Sequence, residues 1–183
     1  MIKFATQNIK PFIKQLLESV YIKSLKKTAK EHRLNTLVNR LEALVPDVTY
    51  QYSTVKIDTH YLKTKVRNLH AFQISLVNEV INEFENPVIV DIGDSAGTHL
   101  QYLTGLYSNI KCLSVNLDKE AVERIRAKGL NAIHARAEDL DRYNINVDIF
   151  LSFQVLEHMM NPCLFLHKLS EKTNTKYFIV TVP

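Results

Sequence analysis

Asp91, Gly93, Asp94, Ser95 and Gly97 fall within the seven residues Asp91-Ile92-Gly93-Asp94-Ser95-Ala96-Gly97, directly after the apolar run Val88-Ile89-Val90. Glycines in such a turn reach backbone angles closed to other residues and leave room for a ligand beside the main chain. A helix that starts there favours anions, and a pyrophosphate site would avoid the two carboxylates. Acid at this turn suits a ligand with a cationic or hydroxyl-rich face. A second reactive pair, Glu157-His158, follows another apolar run. An imidazole that titrates near neutral pH suits His158 to general-base work on an acidic hydroxyl; the same residue can equally serve to fix its loop.

Positioning these groups requires strands that end at them. Val88–Ile92 reads as a buried strand, and the pattern then alternates. A helix near 97–107 precedes a strand over 111–117, and a helix over 118–128 ends at Gly129. Short strand 132–134, strand 147–151, a helix over 161–172 and strand 176–182 follow. Alternation of this kind implies parallel pairing with right-handed crossovers, an α/β doubly wound sheet whose ligands sit at the carboxyl ends of its strands. Upstream, Ile9, Phe12, Ile13, Leu16, Leu17, Val20, Tyr21 and Leu25 recur at helical spacing, with lysines mostly off the stripe and Pro11 in the first turn. Such a helix docks on its own domain or a partner subunit, or lies on an anionic membrane surface. A second helical pattern runs from Leu34 to Leu44, residues 47–63 show no clear period, and a helix resumes at about residue 66.

With 183 residues, 46% hydrophobic and 23% charged, the chain has the composition of a globular protein with a real core. No apolar stretch is long enough to span a bilayer, and no signal peptide is visible. Cys112 and Cys163 form no disulfide framework or metal-spaced pair and fit buried thiols in a reducing cytosol. The net charge of +4 is uneven: residues 1–70 carry 13 Lys/Arg against 5 Asp/Glu, and residues 71–183 carry 10 against 14. That split divides the chain into a basic helical extension over residues 1–65 and a second domain over 66–183.

Four segments, each after a strand, resemble the landmarks of class I S-adenosylmethionine-dependent methyltransferases. The turn 91–97 is similar to Asp/Glu-x-Gly-x-Gly-x-Gly, with Ser95 in place of the middle glycine. Ser114-Val115-Asn116-Leu117-Asp118-Lys119-Glu120-Ala121-Val122 resembles Gly-Val-Asp-Leu-Ser-Pro-Glu-Ala-Val, with Asn116 at the ribose-binding acid. An uncharged amide there makes a weaker bond, and Asp118 two residues on either substitutes for that acid or caps the next helix, the cap being the favoured reading. His134-Ala135-Arg136-Ala137-Glu138-Asp139-Leu140 resembles the adenine-holding Gly-Asp-Ala-Glu-Asp-Leu; Arg136 replaces the carboxylate and leaves the backbone contact at Ala137. Arg136 either stacks on the adenine or lies on the surface. The most specific string, Val147 to Pro162, looks like the small-molecule methyltransferases' Phe-Asp-x-Val-x-x-x-x-Val-Leu-Glu-His-x-x-Asp-Pro.

The resemblance covers about residues 70–183. It implies a Rossmann-like methyltransferase fold with a helical N-terminal extension and S-adenosyl-L-methionine as cofactor. Asp91, Gly93, Asp94, Ser95, Gly97, Asn116, Ala137 and Phe153 would bind it, and Glu157 and His158 would be the catalytic residues. Some relatives hold a divalent metal with Glu-x-x-Glu-His; Gln154 replaces the first Glu, and no metal is assigned. Base-amine methyltransferases carry Asp/Asn/Ser-Pro-Pro-aromatic, unlike Ser152-Phe153-Gln154-Val155, which disfavours nucleic acid. The implied reaction is methyl transfer to a small-molecule, quinone or lipid-linked glycan acceptor, at oxygen, by a cytoplasmic enzyme touching the inner face of the membrane through residues 9–27. The family's sheet has seven strands and this sequence reaches the fifth, so the expectation is a fragment or an edge covered by a partner, such as a homo-oligomer. The departures at Ser95, Asn116 and Arg136 also fit an inactive methyltransferase-like binding or assembly module.

Overall fold

The computed structural model describes residues 2–52, 55–143 and 146–183, with backbone alone at residues 2–10, 12 and 141. The side chains of Ile9, Lys10 and Phe12 therefore lie outside the described residues. Helix α1 spans Ile2–Glu31. Pro11 thus sits inside the helix and not in its first turn, which leaves the helix one amide donor short there. The expected single stripe also needs correction. Among the described side chains of α1, Glu18, Ile22, Leu25 and Ala29 are those that lose exposure. At 100° per residue they lie opposite Ile13, Leu16 and Val20, with Leu17 and Tyr21 to one side; these five are 48–56% exposed.

Helix α2 (Asn35–Leu44) buries Leu41 and stops before Pro46. Helix α3 (His60–Val80) starts six residues before the expected point, because the Thr59 hydroxyl accepts the Leu62 amide hydrogen at 3.1 Å and caps it. Residue 66 thus falls within a continuous helix.

Five strands form the sheet: β1 (Val88–Ile92), β2 (Lys111–Asn116), β3 (Ala132–His134), β4 (Ile149–Phe153) and β5 (Tyr177–Thr181). Every pair is parallel and the order is β3-β2-β1-β4-β5. The crossovers carry α4 (Thr98–Leu106), α5 (Lys119–Ala127) and α6 (Pro162–Lys172). This is the doubly wound arrangement, and the strand order reverses between β1 and β4. Asp148 ties those strands together, its carboxylate accepting the Val88 amide hydrogen at 2.8 Å.

Each face of the sheet has its own core. On one side Ile89, Ile149 and Leu151 pack with Leu41 of α2, Ala71, Ile74 and Val77 of α3, and Leu100 and Leu103 of α4. On the other, Val90, Ile92 and Phe150 meet Phe165 and Leu169 of α6. Burying each large aliphatic side chain contributes roughly 1.5–3 kcal/mol. Among the described residues no helix is long and apolar enough to cross a membrane. Cys112 is buried as expected, whereas Cys163, near the start of α6, is exposed, which corrects the expectation of two buried thiols; both are free.

Candidate cofactor cavity

A cavity of about 820 Å³ opens at the carboxyl ends of β1 and β4, where the strand order reverses. Of the residues singled out in the sequence, Asp91, Gly93, Asp94, Ser95, Phe153, Glu157 and His158 line it together. Gly97, Asn116 and Ala137 do not. The opposite wall comes from α3 and from Gln51, Tyr52, Val55 and Ile57, upstream of every motif.

Both turn glycines have left-handed backbones, with φ of 89° at Gly93 and 71° at Gly97. The space beside them is occupied by the protein itself, which corrects the expectation of room for a ligand. A Cβ at Gly93 would stand 2.6 Å from Val155 Cγ2, and one at Gly97 would stand 3.1 Å from Ile125 and Leu130. The glycines serve backbone conformation and close packing of the turn against the segment after β4 and against α5.

Asp94 organises the start of α4: its Oδ2 accepts the His99 amide hydrogen at 2.9 Å and its Oδ1 approaches the Ala96 amide at 3.4 Å. Asp91, 1% exposed, bonds His99 Nδ1 through Oδ2 at 3.0 Å. Asp91 Oδ1 and His99 Nε2 are buried without a partner among the described residues. Burial raises the Asp91 carboxyl above its usual range and outweighs the nearby His99 charge. Burial opposes a charge on His99 as well, but Asp94 and Asp91 overcome it and hold the imidazole above its ordinary value. Asp91 and His99 therefore share a proton balance at the site.

The cluster continues into the helical layer. The His99 ring lies edge-on to His70 at 4.9 Å and to Phe153 at 5.1 Å. His70 Nδ1 is 3.3 Å from the Tyr102 hydroxyl, which accepts from Arg67 Nη1 at 2.7 Å. Burial, then the charges of His99 and Arg67, push His70 well below its ordinary value, so it is neutral. Gln73 donates to Thr181 Oγ1 at 3.1 Å and leaves Oε1 buried and unpaired. His70, Gln73 and His99 line the cavity and were not singled out from the sequence. The available signal was polar side chains on otherwise apolar helix faces of α3 and α4.

The sequence departures find partners within the chain. Ser95 Oγ donates to the Gln51 carbonyl at 2.6 Å, fastening the covering segment to the turn. Asn116 uses both ends of its amide: Oδ1 accepts the Asp118 amide hydrogen at 2.8 Å and Nδ2 reaches the Asp94 carbonyl at 3.4 Å. Asp118 caps α5 by accepting from Glu120 at 2.9 Å. Arg136 faces solvent and pairs with Glu138 at 3.4 Å. Ala137 packs against the core beneath α6. After β4, Gln154 adopts a left-handed φ of 59° and donates its amide hydrogen to the Thr181 carbonyl at 2.8 Å. The His158 ring is 78% exposed at the cavity rim, 4.0 Å from Glu157.

Residues 90–173, from the middle of β1 to the end of α6, match a family model described as a methyltransferase domain. This span is thus similar to a methyltransferase domain. No curated protein matches the chain in sequence. Among solved structures, this domain is similar to magnesium protoporphyrin IX methyltransferase from Synechocystis PCC 6803 with bound SAM, at 11% identity and a TM-score of 0.53. That likeness covers 82% of this chain and 72% of the other. It is also similar to the plantazolicin methyltransferase BamL in complex with a triazolic desmethylPZN analog and SAH, at 21% identity and a TM-score of 0.50, over 77% of this chain and 56% of that one. The plantazolicin methyltransferase BpumL matches at 16% identity and a TM-score of 0.52, over 78% and 57%. The chain thus spans little more than half the length of the plantazolicin enzymes, and the methyltransferase likeness to these structures is one of fold.

Proposed function

We propose that the cavity binds S-adenosylmethionine and that the chain transfers its methyl group to a small-molecule acceptor. The observation that carries this reading is a pair of buried acceptors without partners, Asp91 Oδ1 and Gln73 Oε1, on two residues that line the cavity. A buried acceptor left unpaired costs about 1–3 kcal/mol, and the α-ammonium of the cofactor's amino-acid end supplies the missing donor. The volume of about 820 Å³ suits a cofactor with a small acceptor beside it. Asn116 would meet the ribose with a neutral amide, Ala137 the adenine through its backbone, and Gly93, Asp94, Ser95 and Gly97 would shape the turn beneath.

When bound, the cofactor supplies an electrophilic methyl group on a sulfonium. The chain's part is to hold the acceptor in line with it, and positioning accounts for the acceleration without a covalent protein intermediate. Phe153 borders the methyl side, and His158 beside Glu157 takes the proton from an acceptor hydroxyl. Transfer to oxygen on a quinone or lipid-linked glycan is the narrower form of the proposal. The exposed apolar face of α1, flanked by Lys14, Lys23 and Lys27, supports contact with an anionic inner membrane surface by a cytoplasmic protein.

The internal engagement of Asn116 and Arg136 favours a second reading, a methyltransferase-like binding module without turnover. Titration calorimetry of the folded chain with S-adenosylmethionine and S-adenosylhomocysteine tests the first. Micromolar binding supports it, and absence of binding below about millimolar concentration removes it.

A further inference from the structure

We propose that a second cavity, enclosed by α1, α2 and α3, is a binding site for a phosphate-bearing ligand. It measures about 570 Å³ and is lined by Lys26 and Lys30 of α1 and by Lys63 and Arg67 of α3, against one carboxylate, Glu42. This inference is independent of methyl transfer.

Arg67 is the informative member. It is 4% exposed, and its guanidinium donates to the Tyr102 hydroxyl and to the carbonyls of Val45 and Pro46. Among the described residues it forms no ion pair, nor do Lys26, Lys30 or Lys63. Asp47, Asp94 and Glu42 are the carboxylates whose fields reach Arg67, Lys63 or the Tyr102 hydroxyl that Arg67 bonds, and among the described residues none forms an ion pair with Arg67. Burying a cation without a counter-charge is expensive, and a bound anion would supply one. The backbone adds to the attraction. The first turns of α2 and α3 both border the cavity, neither holds an acidic residue, and the α2 cap position, Leu34, offers no side-chain acceptor. The amino ends of α2 and α3 and four cations thus border one cavity, with the last turn of α1 beside them. That volume exceeds a lone phosphate and suits a phosphate or diphosphate carried on a larger group, either free in solution or as a lipid headgroup.

The test uses the full chain at physiological salt and two probes, sodium pyrophosphate followed by calorimetry and phosphatidylcholine vesicles doped with phosphatidic acid followed by co-sedimentation. Lys30→Gln/Lys63→Gln removes two cavity cations. Lys111→Gln/Lys172→Gln removes the same charge from exposed positions outside both the cavity and α1. Saturable binding that weakens roughly tenfold or more in the first pair and holds in the second supports the site. Pyrophosphate binding assigns a soluble ligand, and vesicle binding alone, lost in the first pair, assigns a lipid one. No saturable binding of either probe, or equal weakening in both pairs, overturns the proposal. Circular dichroism melting checks both pairs for folding, and Lys26→Gln, at an exposed position, replaces the first pair if it does not fold.

Discussion

His99 Nδ1 and Asp91 Oδ2 lie 3.0 Å apart in the interior, so the first acidic residue of the glycine turn is held by the helix that the turn launches. The bond orients Asp91 and leaves its other oxygen for the cavity. Asp91→Asn keeps the shape but replaces a charged acceptor with a neutral amide. Affinity for S-adenosylmethionine should fall by about tenfold or more, or ~1.4 kcal/mol, in titration calorimetry. An unchanged affinity would place the cofactor's ammonium elsewhere.

Gly93 and Val155 form a matched pair. Gly93→Ala meets both an unfavourable positive φ and the Val155 methyl group. Chemical denaturation should report a loss of about 2 kcal/mol or more. Val155→Ala in the same chain removes the contacting methyl, and the double variant should recover about 1 kcal/mol relative to additive losses. Strict additivity would mean that backbone strain alone matters at Gly93.

His70 sets the acid side of the stability profile. Its folded pKa is depressed well below 6.5, so on acidification the unfolded chain gains a proton there that the folded chain does not. Stability should fall below about pH 6.5, by up to ~1.4 kcal/mol per pH unit. His99 acts with the opposite sign: its raised pKa contributes stability that is full below 6.5 and is lost as pH rises through the raised value. In His70→Phe, the melting temperature should drop less between about pH 7.5 and 5.5 than in the parent chain. An identical drop would remove His70 from the account.

Asp91, Asp94 and His99 present ligand atoms within 4.8 Å of one another, a set that also suits a divalent cation. Their hydrogen bonds compete with that use: Asp94 accepts from two backbone amides, and the Asp91–His99 bond would have to break. Dialysis against a chelator should therefore leave S-adenosylmethionine affinity and melting temperature unchanged. A loss restored by zinc would make the cluster a metal centre.

The turn, the alternation of strands with helices and the Asp118 cap were legible because each depends on neighbours in sequence. The positive φ at Gly93 and Gly97 follows from their lacking a Cβ, and the cap from an acid two residues before the amide it accepts. The α3 start was legible in principle too, through Thr59. His70, Gln73 and His99 were not, because their role arises only when α3 packs across the ends of β1 and β5. Ser95 reads as a defect in a glycine motif until Gln51, 44 positions upstream, is seen to receive its hydroxyl.

The core on one face of the sheet joins Leu41, Ala71, Ile74 and Val77 of the helical region to Ile89, Ile149 and Leu151 of the strands. The span that matches the family model begins at residue 90 and excludes all of those helical contributors. Modularity is therefore not drawn where the similarity is drawn. A gene fragment encoding residues 90–173 alone would lose α2, α3 and half of β1, and with them one side of its interior and a wall of its ligand cavity. Swapping the N-terminal helices between distant relatives would disturb the sheet as much as the helices, so the two regions are bound to vary in concert.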